Sequence, residues 1–299
     1  MIYCILGQTA SGKTSLAIEV ARRFSLPVIS ADAYQCYKMM QIGTDKPKPE
    51  EIAGLKFYFT DAYEPDASVS VYLFQKEMRK VLDSYLKEGK DVLVVGGTFL
   101  YVRALFYDYD FEEEKNTRQE EYDGMELSEL QELLRSRDKD VYGAIDNKNK
   151  RRVVRALVRL DEGKKTEDGN KAKGTTSLYP VEFLQILVDK EEGNRKIDRR
   201  VDRMFEEGFP EEVKHLASQY PADLRSFQAI GYKESLAALK EHEEIGEDVK
   251  ELIKVHTHQY AKKQRTFLRN QFPEIRKGSK EEIRDYLISV LTKEEAKHE

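Results

Sequence analysis

Cysteine is scarce in this sequence: Cys4 and Cys36 are the two it holds in 299 residues. Two thiols build neither a disulfide framework nor a zinc site, so both read as free thiols of a reducing compartment. Histidine is scarce too, with five. His256-Thr257-His258 has neither the spacing nor the glutamate of a zincin helix. Both histidines are expected at the surface or facing a partner. Long apolar runs are missing, and none approaches the roughly 18 residues of a membrane span. The opening run Met1 to Leu6 is too short for the apolar stretch of a secretory signal. A cytoplasmic protein with no membrane contact is expected. Net positive charge is also missing. The balance is −5, which argues against a uniformly basic nucleic-acid binder.

An average hides patches. From Lys148 to Lys165 stand eight basic residues: Lys148, Lys150, Arg151, Arg152, Arg155, Arg159, Lys164 and Lys165. Asp161 and Glu162 alone oppose them. "KKQRTFLRNQ", residues 262–271, has no acid inside it. Each patch is either a solvated helix face or a place for an anionic partner.

The most specific string lies near the start. Gly7-Gln8-Thr9-Ala10-Ser11-Gly12-Lys13-Thr14 fits the phosphate-loop pattern G-x-x-x-x-G-K-[ST]. Its glycines let backbone N–H groups turn toward phosphate oxygens, and a following helix adds the positive end of its dipole. Lys13 supplies a point charge. The Thr14 hydroxyl suits Mg²⁺. The context agrees, with an apolar run before the loop and a helical pattern after it.

The length suits about two domains with a well-buried core. Short apolar runs at 2–6, 27–30, 91–95 and 183–188, with a weaker one at 55–60, read as buried parallel strands. Helical patterns such as Ser15–Phe24 and Val71–Lys87 separate them. The expectation is an α/β fold, a P-loop NTPase-like core with a mostly parallel sheet. Residues 110–178 break the rhythm: a polar run from Phe111, two helical stretches, then a glycine- and lysine-rich loop from Lys164. They read as a helical insertion subdomain, and 1–109 with 179–299 as the core. Everything after about Asp189 reads as helical, with breaks near Pro210, Pro221 and Pro273.

Ligands of open α/β sheets sit at the carboxyl ends of strands. Asp32 follows the second strand and either holds a metal, takes a proton or caps a helix. Gly96-Gly97-Thr98 follows the 91–95 strand, where a nucleotide hydrolase often places an acid; Asp61 is the other candidate acid of that kind. Thr98 either binds a phosphate oxygen or closes a turn. Past 183–188, Ile197, Val201, Met204 and Phe205 form an apolar stripe. Arg200 lies on its flank, near the cleft or along the core edge, while Arg199 points away.

Taken together these blocks resemble the tRNA dimethylallyltransferase (tRNA isopentenyltransferase) family of bacterial type. "GQTASGKT" is similar to its G-P/Q-T-A-S-G-K-T/S, and "ISADAYQCYKMMQIGTDKP" to S-x-D-S/A-x-Q-x-Y-x-x-M-x-I-G-T-A-K-P. "VVGGTFLYVRAL", "KRRVVRAL", "RVDRMFEEGFPEEV", "FQAIGYKE" and "YAKKQRTFLR" resemble further blocks, in order, from residue 7 to 269. The resemblance implies that the loop holds the diphosphate of dimethylallyl diphosphate. The prenyl group then moves to N6 of the adenosine 3′ to the anticodon. Asp32 would be the base, with Thr98 and Arg200 on the diphosphate and Mg²⁺ as cofactor. Partners would be the tRNA anticodon stem-loop and the prenyl diphosphate, with the protein a monomer. It implies tRNA contacts at Asp32, Ala33, Tyr34, Gln35, Arg118, Arg151, Arg152 and Arg155. Others fall at Gly231, Tyr232, Lys233, Lys262, Lys263, Gln264, Arg265 and Arg269. The chain departs from the pattern at Val158, Lys196 and Phe267, where glutamate, arginine and tryptophan are usual.

Three other readings remain open: an adenylate isopentenyltransferase of cytokinin type, a P-loop small-molecule kinase, and a nucleotide-gated RNA-binding module. The basic stretches speak against the first, since a mononucleotide needs neither. Weak acid candidates for a second metal site speak against the kinase. Asp32 and Thr98 beside the phosphate site favour a catalyst over a binding module.

Overall fold

The computed structural model describes residues 1–109, 118–163, 174, 176–241, 244–272 and 274–298. Lys164, Lys165, most of the glycine- and lysine-rich loop, the run from Phe111 to Thr117, and Pro273 lie outside them.

β1 (Ile2–Leu6) runs into the glycine loop and α1 (Lys13–Phe24). Then come β2 (Val28–Ser30), α2 (Pro49–Ile52), β3 (Phe57–Tyr58), α3 (Val71–Lys87), β4 (Val92–Gly96) and α4 (Phe99–Phe106). Four helices follow: α5 (Gln119–Asp123), α6 (Leu127–Arg137), α7 (Lys139–Ala144) and α8 (Lys150–Asp161). The chain continues with β5 (Val181–Ile186), α9 (Lys190–Glu206), α10 (Phe209–Gln219), α11 (Tyr232–Lys240) and α12 (Glu247–Gln271). β6 (Arg276–Gly278) and α13 (Lys280–His298) come last.

The chain divides into two compact units. One comprises Met1–Phe106 and Ser177–Glu299, the other Tyr107–Thr176.

In the first unit the six strands among the described residues are parallel, in the order β3-β2-β4-β1-β5-β6. β1 is central, and all five of its residues are buried. A strand covered on both faces needs a continuous apolar run, which "IYCIL" supplies. Tyr3 and Ile5 pack with Leu16, Ala17, Val20 and Ala21 of α1 and with Ile283, Leu287 and Leu291 of α13. By the strand's two-residue period, Ile2, Cys4 and Leu6 face the other side. An aromatic cluster links α4, β5 and the end of α12 through Phe99, Phe106, Phe183, Phe267 and Phe272. Phe267, where the family pattern has tryptophan, belongs to this cluster.

One expectation needs correction. The stretch after Asp189 is not all helical, because β6 adds an edge strand beside β5. The break expected near Pro210 falls at Gly208, and Pro210 sits in the first turn of α10. That is where proline's missing N–H costs nothing.

The second unit has its own core, built from Tyr122, Leu130, Leu134, Val141, Val153, Val154 and Leu157. Val158 is part of it. Asp161 accepts from the Tyr122 hydroxyl at 2.7 Å and pairs with Arg137 and Arg118. Burial pushes this carboxyl up, but Tyr122 and the arginines outweigh that and hold it below its usual range.

Candidate active site

The sheet topology fixes where the site lies. β1 and β4 are neighbours, and Leu6 pairs with Gly96. The strand that follows β1 is β2, on one side of the pair, and the strand that follows β4 is β5, on the other, so their carboxyl ends form the crevice where such sheets take ligands. The glycine loop and Gly96-Gly97-Thr98 therefore stand side by side. β2 adds the third segment: Ser30 pairs with Val95, and Thr98 N donates to Ala31 O at 3.2 Å.

A cleft of about 790 Å³ opens there. Thr9, Ala10, Gly12, Lys13, Thr14, Asp32, Gly97, Thr98 and Arg200 line it. Gly7, Gln8 and Ser11 do not line it. α1 begins without a side-chain cap, so its first amides keep their donors for a ligand. The glycine pair after β4 answers to crowding. A Cβ on Gly96 would lie 2.2 Å from Ala31 O, and one on Gly97 2.6 Å from Gln264 Nε2.

Lys13 sits deep in the cleft. Burial lowers its pKa to about 8 against the pull of Asp32, with Arg200 lowering it and Asp45 raising it further. Arg200 reaches in from α9 and donates from Nη1 to Thr9 Oγ1 at 2.6 Å. Its Nε lies 3.4 Å from Asp45 Oδ2. The Thr98 hydroxyl oxygen accepts from Ala33 N at 3.1 Å, and the same hydroxyl bonds Tyr260, another residue of the cleft wall. Asp32 Oδ1 accepts from the amides of Tyr34 and Gln35 at 2.9 and 3.2 Å. That fixes the carboxylate by a local turn and leaves its second oxygen uncommitted to the turn.

α12 braces this arrangement from 255 residues away in sequence. Gln264 Oε1 accepts from Thr9 N at 2.7 Å, and its Nε2 donates to Gly97 O at 2.9 Å. The Tyr260 hydroxyl also donates to Gly97 O. Arg265 Nη1 donates to Gln8 Oε1 at 2.6 Å. The loop after Asp32 is pinned as well. Glu212 accepts from the amides of Gln41, Ile42 and Gly43 and from the Tyr232 hydroxyl. Gln35 Nε2 donates to Thr44 O and Asp45 O.

Several expected tRNA contacts stand differently. Tyr232 is fully buried, and its hydroxyl is spent on Glu212, so its side chain is core. Gln264 is 3 % exposed with both amide atoms engaged; it is a brace. Gln35 lines the cleft yet ties β2 to the following loop. Gly231 is buried at the start of α11 and donates its N–H to Glu234 Oε2. Arg265 is half-buried on the loop. Lys233, Lys262, Lys263 and Arg269 are exposed. Ala33 and Tyr34 are half-buried beside Asp32. Arg118, Arg151, Arg152 and Arg155 belong to the second unit. Arg199 does not point away: it lines the cleft with Arg203 and Lys196. Asp61 is no metal acid, because it pairs with the buried Lys46 ammonium. His256 bonds the buried Glu234, and His258 bonds Asn194 and Asp198, so both serve helix packing. Sequence reasoning missed Glu212, Tyr260 and Asp45, whose partners are distant in the chain.

A parallel sheet with a phosphate-binding loop at its switch point, a hydroxyl after β4 and a fixed carboxylate after β2 defines a P-loop-type transferase fold. Residues 35–271 match the model of the IPP transferase family. The tRNA dimethylallyltransferase of Staphylococcus epidermidis is 36 % identical over 280 residues, which are 90 % of this chain and 84 % of that one. That of Bacillus licheniformis is 36 % identical over 277 residues, 90 % and 88 % of the two chains. Among solved structures, a tRNA isopentenylpyrophosphate transferase from S. epidermidis matches at TM-score 0.71 and 35 % identity, covering 98 % of this chain and 99 % of that one. A eukaryotic dimethylallyltransferase acting on tRNA matches at TM-score 0.77 and 27 % identity, over 93 % of this chain and 73 % of that one. The chain belongs to the IPP transferase family.

Proposed function

We propose that this protein transfers the dimethylallyl group of dimethylallyl diphosphate to N6 of the adenosine 3′ to the anticodon in tRNA, releasing diphosphate. One observation carries the reading beyond family membership: the anion cradle faces glycines and a threonine at the end of β4, with a fixed carboxylate, Asp32, beside it. Such a site suits a diphosphate that leaves better than a phosphoryl group that is hydrolysed.

The C1–O bond of the prenyl diphosphate breaks with its electron pair going to the diphosphate. The N6 lone pair forms the new C–N bond. Asp32 takes the proton that N6 gives up. Negative charge grows on the leaving group, where the Lys13 ammonium, the loop amides, the Arg200 guanidinium and the Thr98 hydroxyl meet it. Thr14, on the wall beside Lys13, would hold a Mg²⁺ through its hydroxyl, and the ion would supply positive charge there. An adenine must leave its stack to reach a cleft of this depth. Lys233, Lys262, Lys263 and Arg269 would hold phosphates of the anticodon arm, with Arg118, Arg151, Arg152 and Arg155 doing so from the second unit.

The test incubates the protein with Mg²⁺, radiolabelled dimethylallyl diphosphate and unmodified tRNA, beside AMP and an Asp32→Ala variant. Label in tRNA that the variant loses supports the reading. Label in AMP alone would move it to an adenylate prenyltransferase, and ATP turnover without label to a kinase.

A further inference from the structure

Resting on the diphosphate reading of the cleft, we infer that Asp45 is a built-in counter-ion: it occupies Arg200 and Arg203 in the unliganded protein and yields them to the diphosphate, so setting the strength of substrate binding. Asp45 Oδ2 lies 3.4 Å from Arg200 Nε, and Oδ1 lies 3.5 Å from Arg203 Nη2. One carboxylate thus spans two guanidinium groups one helical turn apart on α9. Both arginines and Asp45 line the cleft.

The backbone around Asp45 is fixed while its side chain is not. Asp45 N donates to Ile42 O at 3.0 Å, and its carbonyl accepts from Gln35 Nε2 at 3.1 Å. Glu212 holds the preceding amides. The carboxylate itself is 44 % exposed. Its separations from the arginines are those of charge pairing rather than of tight hydrogen bonds. Arg200 has by contrast a short bond to Thr9 on the phosphate loop. The guanidinium is therefore anchored to the loop, and Asp45 is the partner that can be exchanged. A rotation of Asp45 about its side-chain bonds frees both arginines without moving the loop.

Charge supplies the rest. An aspartate in an anion site repels the anion, and it also keeps the arginines from standing uncompensated when the site is empty. Asp45 has φ 51, a conformation that asparagine adopts readily and alanine does not. Asp45→Asn is therefore the variant that changes charge and little else.

Binding of inorganic diphosphate with Mg²⁺ would be measured by calorimetry on the full chain, at 50 mM and 500 mM salt. Asp45→Asn is expected to bind about fivefold more tightly at low salt, the worth of one half-exposed ion pair, with the gain shrinking at high salt. Equal or weaker binding by Asp45→Asn, with parent binding and Tm intact, overturns the inference and leaves the diphosphate site standing. No binding by either protein overturns the diphosphate reading and this inference with it. A gain that does not depend on salt also overturns it, since a neighbour that merely fills space gives no such dependence.

Discussion

Lys263 and Gln264 are adjacent in sequence and stand on opposite sides of a boundary. Lys262, Lys263 and Arg269 form the solvated face of α12. Gln264 and Arg265 turn inward and tie the phosphate loop to β4 and to α12. On the inner side, polar groups are held by protein at fixed distances. On the outer side, charge stands in water. On the function proposed above, the difference separates two jobs that one basic string had merged: geometry for chemistry and charge for docking. Inner-face changes should alter rate or stability with little salt dependence. Outer-face changes should alter tRNA affinity, and salt should modulate the effect.

Asp32→Asn gives the largest expected effect. Asparagine can still accept from Tyr34 N and Gln35 N, but it cannot take a proton. We expect kcat to fall by about 10² to 10⁴, with tRNA affinity and its salt slope unchanged in a filter-binding assay. A parallel loss of tRNA binding would erase the boundary drawn here. Gln264→Ala is next. It strands Thr9 N, and urea unfolding should show a loss of about 1–3 kcal/mol, with the KM for the prenyl diphosphate raised. The double change Lys262→Ala with Lys263→Ala should leave unfolding within about 0.5 kcal/mol. It should weaken tRNA binding and reduce the salt slope by about 2, one for each lost phosphate contact.

The smaller effects sharpen the inner side. Lys13 has a pKa of about 8 in the free cleft, and a bound diphosphate favours its charged form. Binding should therefore take up a proton near pH 8 and none from Lys13 at pH 6. Diphosphate affinity should fall as pH rises from 7 to 9. Calorimetry in two buffers of different ionisation enthalpy reads that uptake. Tyr232→Phe should cost about 1 kcal/mol through the lost bond to Glu212 and leave tRNA affinity alone. A drop in tRNA affinity would return Tyr232 to the docking surface.

The central strands were legible because parallel strands buried on both faces must be apolar throughout. Helix α3 was legible to the residue, from Val71 to Lys87, because a serine caps its start and glycine follows soon after its end. β6 was not legible. Arg276-Lys277-Gly278 is a three-residue edge strand with two exposed side chains, and no apolar run marks such a strand. The phosphate loop, Asp32, Thr98 and Arg200 could be read as candidates because each follows a strand or flanks an apolar stripe. Arg199 was misplaced because helical phase tells which side is apolar, not how far a neighbouring cleft wraps around it. Gln264 and Glu212 were beyond reach as braces, since their partners lie about 255 and 170 residues away and the sequence offers only their polarity.

The bond between Thr9 and Gln264 has a temporal side. A ribosome makes Thr9 long before Gln264; at about 5–20 residues per second the gap is roughly ten to fifty seconds. β4 and β5 join β1 within that interval, but the loop has no brace until its end. The nascent chain thus carries a phosphate-loop sequence that is not yet a phosphate site. Competence to bind the prenyl donor would arrive late, when α12 has emerged and docked. Synthesis stalled before α12 would yield no half-built site that sequesters the donor.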